Sequence, residues 1–164
     1  MEIVDGTHLL ENQGVEHFKS GSTFGALSDE SVAFLLKNGR VMSLSPGNEL
    51  FHAGEPGNCF YIVLQGVLDY LHECEKEEVL IRTVAFGETV GYVSMIGLFD
   101  RIGIARSNGS SLVLEVSSDL FHQVHIEYPF DFGILMLNLT RNMARTIRVV
   151  TTQYASVCIG NSIP

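Results

Sequence analysis

The residues best suited to chemistry lie in the segment Gly91–Ser107, which reads GYVSMIGLFDRIGIARS. The pattern predicts a strand end, a short helical turn at Val93–Ile96, and a return strand that carries Arg101. Amide N–H groups at the start of a helical turn and a guanidinium together form the frame of an anion-binding site. Tyr92 and Ile102 occupy the positions at which such a site would contain a carboxylate and a hydroxyl. The segment therefore predicts an anion pocket that lacks part of its chemistry.

The composition predicts one globular domain, because the chain has 164 residues and 46% of them are hydrophobic. Its formal net charge of −9 argues against nucleic acid as the main partner, since binding phosphates requires a basic surface. Basic residues cluster locally at Arg141, Arg145 and Arg148, so the sequence is compatible with a small basic patch there. No apolar run reaches the roughly 20 residues that span a bilayer, and the acidic N-terminus lacks a signal-peptide pattern. We expect no membrane partner.

The cysteines and histidines predict neither a metal nor a cofactor. Cys59, Cys74 and Cys158 lack the spacing of a metal site and suit a reducing compartment, so we expect a cytoplasmic protein. His122 and His125 share one face of a predicted helix, and we interpret them as a solvated pair.

The chain begins and ends with helical patterns. We interpret residues 1–13 as a tail. Ser28 is a good N-cap for a helix over Asp29–Asn38, whose apolar residues fall on one face, and Gly39 ends that helix. Pro129 suits the start of a long C-terminal helix.

Between these helices the pattern predicts a sheet structure. From Arg40 onward, short apolar or alternating runs are separated by turn residues, as in small all-β sandwiches and barrels. We interpret Gln65-Gly66 and Asn108-Gly109 as hairpin turns, and Cys74–Glu78 as a charged loop. The expected fold class is α+β: a β jelly roll (double-stranded β-helix) flanked by N-terminal helices and a long C-terminal helix. The expected units are a tail at 1–13, the jelly roll at 14–127, the long helix at 128–156 and a tail at 157–164.

The long helix carries an apolar stripe at spacings of three and four. Such a stripe is either packed on its own domain or forms a seam between two copies of the chain, and we favour the second alternative, a homodimer. The expected interface residues are Met136, Leu139, Met143, Ile147, Val150 and Tyr154.

Two longer patterns carry a resemblance to a known family. The sequence PGNELFHAGEPGNCFYIVLQGVLDY, then VLIRTVAFGETVGYVSMIGLFDRIGIA, then a long helix, resembles the cyclic-nucleotide-binding domain family. That family provides the sensor domains of bacterial catabolite-activator-type regulators, kinase regulatory subunits and gated channels. The resemblance covers roughly Phe24 to Ala155. Turn and hairpin residues match in order and spacing: Pro46-Gly47, Gly54-Glu55, Gly57, Phe60-Tyr61-Ile62 and Gly66.

The resemblance implies a phosphate-binding cassette. In the family a Gly-Glu pair binds the ribose 2′-hydroxyl, a short helix presents N–H groups to the phosphate, and an arginine followed by Ser or Thr lies nine or ten residues after the glutamate. Starting at Gly87-Glu88 puts Arg101 thirteen residues after the glutamate, whereas starting at Gly91-Tyr92 puts it nine residues later. We prefer the second register. The implied ligand-binding positions are then Gly91, Tyr92, Val93, Ser94, Arg101 and Ile102.

In this register Tyr92 replaces the glutamate and Ile102 the hydroxyl residue. Each lost hydrogen bond to a charged or buried partner costs about 1.5–3 kcal/mol, so two losses weaken binding about 10²–10⁴-fold. We therefore expect weak or lost binding of cyclic AMP and cyclic GMP. Arg101 either holds an anion or forms an ion pair with Asp100, Glu88 or another acidic residue. We expect Tyr92 to plug the pocket and Ile102 to lie in the core.

Several functions are compatible with these patterns. The first is a noncatalytic sensor or regulatory domain for a small anionic or nucleotide ligand, in which Arg145 or Thr146 caps the pocket. The second is a pseudo-sensor, kept as a dimerisation or protein-interaction module with a filled pocket. An enzyme of the cupin type would need a His-x-His pair, which the sequence lacks. After Ala155 too few residues follow for a helix-turn-helix, so we do not expect a complete transcription regulator.

Overall fold

A computed structural model describes residues 1–75 and 77–160 of the chain. Within them nine strands form two antiparallel sheets, and six helices accompany the sheets. The strands are β1 Glu2–Val4, β2 Arg40–Leu44, β3 Glu49–Phe51, β4 Cys59–Gln65, β5 Leu68–Cys74, β6 Glu77–Val84, β7 Thr89–Val90, β8 Ile104–Ser107 and β9 Ser111–Ser117. The helices are α1 Gly6–Gln13, α2 Val15–Lys19, α3 Asp29–Asn38, α4 Tyr92–Gly97, α5 Ser118–Glu127 and α6 Pro129–Gly160. None of the helices in this part of the chain is long and apolar enough to cross a bilayer.

The two sheets face each other as a jelly roll. One sheet has the strand order β1-β2-β9-β4-β7, and the other has the order β3-β8-β5-β6. Strand β4 is buried on both faces: Tyr61 and Val63 belong to the core between the sheets, whereas Phe60, Ile62 and Leu64 belong to the core beneath the helices. The predicted α+β jelly roll with N-terminal helices and a long C-terminal helix is confirmed.

The first half of α6 is fixed to the body of the domain. Leu135 and Leu139 are buried in the core beneath the helices. Asn138 is also buried, and its side-chain amide donates hydrogen bonds to the carbonyl oxygens of Thr23 and Gly25 at 3.1 and 2.8 Å. These contacts place the following turns of α6 over the open end of the roll.

The predicted tails are wrong at both ends. Residues 1–13 contain β1, which pairs with β2, and α1, which packs on α3. Asp5 caps this first helix by accepting a hydrogen bond from the amide of Thr7 at 2.8 Å, and Leu9 is buried. At the other end α6 continues through residue 160, so the helix replaces the beginning of the predicted tail at 157–164. Residues 161–164 lie outside the described part.

The predicted hairpins are also wrong. Strand β4 pairs with β7 and β9, whereas β5 pairs with β6 and β8, so the turn at Gln65-Gly66 crosses from one sheet to the other. The turn at Asn108-Gly109 crosses in the same way between β8 and β9. The two crossings bind each other, because the amide of Asn108 and the hydroxyl of Ser111 both donate to the carbonyl of Val67. The long hairpin is instead β5–β6, which includes most of the segment interpreted as a loop.

Candidate functional site

The predicted cassette begins at a glycine that the structure requires. Gly91 precedes α4 with φ of 87°, a left-handed conformation that side chains disfavour. A Cβ atom at this position would also lie 2.7 Å from Nη1 of Arg101 and 3.2 Å from the ring of Phe51. Glycine therefore provides both the turn into α4 and the space in which the Arg101 side chain lies.

Arg101 is a buried cation held by backbone carbonyls. Its side chain donates to the carbonyl oxygens of Gly91 and Cys59 at 2.5 and 2.6 Å, and the guanidinium lies 4.4 Å from the centre of the Phe51 ring. The residue is 3% exposed, and its Nε atom has no hydrogen-bond partner among the described residues. Its backbone is fixed as well, by hydrogen bonds with Glu55 and Gly54 at 2.8 Å.

The alternative of an ion pair at Arg101 is wrong. No acidic group within the described residues lies within ion-pair distance of its guanidinium, neither Asp100 nor Glu88. Glu88 instead accepts a hydrogen bond from the amide of Ala85 at 2.8 Å and thereby fixes the turn before β7. Arg101 therefore acts in this structure as a cross-link between two carbonyls and an aromatic ring.

A cavity of about 420 Å³, hereafter the α6 cavity, lies between the roll and α6. This volume is within the usual range of small-molecule pockets, about 300–1,000 Å³. Most of the side chains on its wall are apolar or aromatic. The lining residues are Phe51, Tyr70, His72, Ile81, Arg82, Val90, Gly91, Tyr92, Val93, Ser94, Ile102, Met143, Thr146, Ile147 and Val150.

The structure brings five of the six predicted cassette residues to the wall of this cavity. Tyr92 is 2% exposed and contributes to the core beneath the helices, while Ser94 is also buried. Val93 and Ile102 are 41% and 56% exposed, so the prediction that Ile102 lies in the core is wrong. Ile102 directly follows Arg101 in the chain, and its side chain is both exposed to solvent and part of the cavity lining.

Arg101 is the cassette residue that does not line the α6 cavity. Phe51 and Gly91 both contact Arg101 and both line the cavity, whereas Arg101 itself is not among the lining residues. The guanidinium of the predicted anion-binding frame makes its contacts with two backbone carbonyls and the Phe51 ring.

Arg82 is the cationic side chain on the wall, and sequence reasoning did not find it. Its Nη2 atom donates to the carbonyl of Thr89 at 2.7 Å, and its Nη1 atom lies 4.0 Å from a carboxylate oxygen of Glu88. Tyr70 is its partner residue on the neighbouring strand. The signal in the sequence is a single charged residue inside the otherwise uncharged run Val79–Val84.

Two phenols lie close to this cation. Burial raises the pKa of Tyr70 and that of Tyr92 above the ordinary value, and the charge of Arg82 partly offsets both shifts. Both phenols are therefore protonated at neutral pH and can donate a hydrogen bond. Neither hydroxyl makes a hydrogen bond within the described residues. The wall of the α6 cavity thus combines one guanidinium and two free donors with a largely apolar surface.

Over the first half of α6, the apolar stripe packs against the core of its own domain. Leu139 is fully buried in the core, and the partly buried Met136 and Met143 pack against the same core, as in the alternative of a stripe packed on its own domain. The dimer interface over this half of the helix stays a prediction. Met143, Ile147 and Val150 line the α6 cavity, as does Thr146, one of the two predicted capping residues. Arg145, the other, lines a smaller neighbouring cavity of about 160 Å³. Tyr154 lies beyond the cavity and is 71% exposed.

Comparison with solved structures shows the same fold in other proteins. A cyclic nucleotide-binding domain from Methylobacillus flagellatus KT matches with a TM-score of 0.80 and 18% identity, over 99% of this chain and 90% of that one. The catabolite activator protein of Thermus thermophilus matches with a TM-score of 0.71 and 19% identity, over 84% of this chain and 63% of that one. At these identities the similarity shows the fold alone.

Comparison of sequences gives a distant curated relative and a family. Neuropathy target esterase sws from Drosophila mojavensis is 24% identical over an alignment of 161 residues, and the match covers 92% of this chain. The chain spans about a tenth of the length of that protein, since the match covers 10% of it. The family model of the cyclic nucleotide-binding domain matches residues 41–128, more than half of the chain. The chain belongs to the cyclic nucleotide-binding domain family.

Proposed function

We propose that this chain is a noncatalytic regulatory domain that receives a small molecule in the α6 cavity and binds cyclic AMP and cyclic GMP weakly or not at all. The observation that carries this proposal is the open cavity of about 420 Å³ at the position of the cassette. An open cavity favours a sensor over a pseudo-sensor whose pocket is filled by side chains. Tyr92 contributes to the wall and leaves this space free.

Weak binding of cyclic nucleotides is supported by three features of the cassette. Tyr92 stands in place of the carboxylate that would read the ribose, and Ile102 in place of a hydroxyl donor. Arg101 is already hydrogen-bonded to two carbonyls and is not among the lining residues of the cavity. A cyclic phosphate in this cavity would therefore lack the pairing with Arg101 as well as two polar contacts, which corresponds to an affinity loss of at least about 10²–10⁴-fold.

The long helix is the element that would report occupancy. Met143, Thr146, Ile147 and Val150 of α6 form one wall of the cavity, and the roll forms the other walls. A ligand that contacts both sides binds best in one position of the helix and thereby shifts the population of helix positions. The helix then transmits the shift to whatever its exposed end contacts.

A second copy of the chain is the partner that we propose for the distal α6 segment, defined as residues 147–158. Every residue in it is exposed, although Ile147, Val150, Tyr154 and Val157 are apolar or aromatic and share one face. A helical segment of this length is marginal in water without packing. Pairing with the same segment of another copy would bury this face. The free thiols of Cys59 and Cys74 are consistent with a cytoplasmic location, which we also propose.

An uncharged fluorescent probe tests whether the α6 cavity receives ligands. N-Phenyl-1-naphthylamine gains fluorescence on entering an apolar site, and we expect saturable binding to the wild-type domain. Ile147→Trp fills the cavity and should abolish the signal. Leu137→Trp is the matched control, because Leu137 lies on the same helix, is 48% exposed and does not line the cavity. A wild-type protein that gives no saturable signal would refute the proposed function.

A further inference from the structure

Arg82 is the one arginine among the lining residues of the α6 cavity, and it also lines the smaller neighbouring cavity together with Glu88 and Thr89. Its side chain is 19% exposed and makes one hydrogen bond, from Nη2 to the carbonyl of Thr89. The 4.0 Å separation from Glu88 is too long for a hydrogen bond and lies at the outer limit of an ion pair. The remaining guanidinium N–H groups of Arg82 have no other hydrogen-bond partner among the described residues and are available to an acceptor.

The surroundings of Arg82 favour one acidic group. Tyr70 pairs with Arg82 across β5 and β6 and lines the same cavity, as does Tyr92. Both hydroxyls lack a hydrogen-bond partner in the described residues, and both are donors next to a cation. A carboxylate accepts several such hydrogen bonds at once, and a guanidinium binds it in a forked geometry.

The rest of the wall favours an apolar body. Six side chains in the lining carry polar groups: Tyr70, His72, Arg82, Tyr92, Ser94 and Thr146. The other lining residues are aliphatic side chains, Phe51 and one glycine. A ligand with several hydroxyls or ring nitrogens would lose hydrogen bonds to water on entering this space. An alkyl or aryl chain would instead remove apolar surface from water on both sides.

We propose that the α6 cavity binds an elongated apolar molecule that carries a single acidic group, and that Arg82 is the partner of that group. The ligand class is thus an amphiphilic monoanion such as a medium-chain carboxylate. The inference rests on the proposed function, since it assumes that the cavity receives a ligand. In this proposal the negative charge of the ligand is bound by Arg82 on strand β6, and not by the cassette.

Competition with the uncharged probe tests this ligand class. Wild-type protein loaded with N-phenyl-1-naphthylamine is titrated with dodecanoate, kept below its micelle concentration, and with dodecanol in parallel. The two competitors share their chain and differ in charge. We expect dodecanoate to displace the probe at a concentration at least about tenfold lower than dodecanol, because hydrogen bonds to a charged group contribute that much or more.

Variants of Arg82 assign the effect to the proposed cation. Arg82→Gln should abolish the preference for dodecanoate while the probe still binds, and Arg82→Lys should retain part of it. Arg40→Gln is the matched control. Arg40 lies on the sheet that does not contain Arg82, forms an ion pair with Glu115 of the same sheet at 2.7 Å, and does not line the cavity. Equal displacement by dodecanol, no displacement by dodecanoate, or an unchanged preference in Arg82→Gln would overturn the inference. Probe binding in those same samples would leave the proposed function standing.

Discussion

Replacing Arg101 with alanine is expected to lower the free energy of unfolding by about 3 kcal/mol. The change removes the hydrogen bonds to the carbonyls of Gly91 and Cys59 and the contact with the Phe51 ring. Those carbonyls would be left without this partner next to a buried void. Urea denaturation followed by circular dichroism measures the loss.

The control for this result is the substitution of a solvent-exposed arginine. Arg40→Ala removes an ion pair with Glu115 from a side chain that is 53% exposed, and we expect a loss below about 1 kcal/mol. If Arg101→Ala were as stable as the wild-type protein, Arg101 would not be the cross-link described above. Its guanidinium would then have to be regarded as reserved for an anion, as the family's cassette implies.

The double substitution Tyr154→Glu with Val157→Glu is expected to convert a dimer into a monomer. Both residues lie in the distal α6 segment, are 71% and 60% exposed, and do not line the α6 cavity. Four carboxylates in one seam would repel each other and would have to be desolvated when two copies pair. Light scattering coupled to size-exclusion chromatography gives the mass of each species.

A second double variant controls for the added charge. Thr152→Glu with Ser156→Glu places the same two charges on the opposite side of the helix, where both residues are exposed, and should leave the dimer intact. A wild-type protein that elutes as a monomer, or a Tyr154 and Val157 variant that remains dimeric, would contradict the proposed seam. Met143→Glu would be a poor test, because Met143 packs against the domain's own core.

The sequence predicts the elements of this fold better than their pairing. The helix at Asp29–Asn38 and the short helical turn in the cassette follow from capping and turn chemistry that acts over a few residues. The pairing of strands in a jelly roll is decided by contacts distant in sequence. Gln65-Gly66 and Asn108-Gly109 have the composition of hairpin turns, yet each carries the chain between the sheets and packs against the other. Local turn chemistry does not distinguish the two outcomes.

In the candidate site, too, residues within one segment are predicted from the sequence, whereas residues that come from separate strands are not. The register that begins at Gly91 predicted five residues that do line the cavity, because the cassette is one continuous segment. Arg82 and Tyr70 come from two other strands, and an irregularity in the pairing of β5 and β6 next to Tyr70 changes the register there. Their meeting depends on that pairing, which no local pattern specifies. The contact between Arg101 and Phe51 likewise depends on β3, which meets the cassette only in the folded domain.

Calorimetric titration of the wild-type domain with cyclic AMP and with cyclic GMP tests the central claim most directly. We predict that neither nucleotide binds more tightly than about 10 µM, because the carboxylate that would bind the ribose and the hydroxyl are replaced and Arg101 is hydrogen-bonded to two carbonyls outside the cavity lining. A submicromolar dissociation constant for either nucleotide would contradict this prediction.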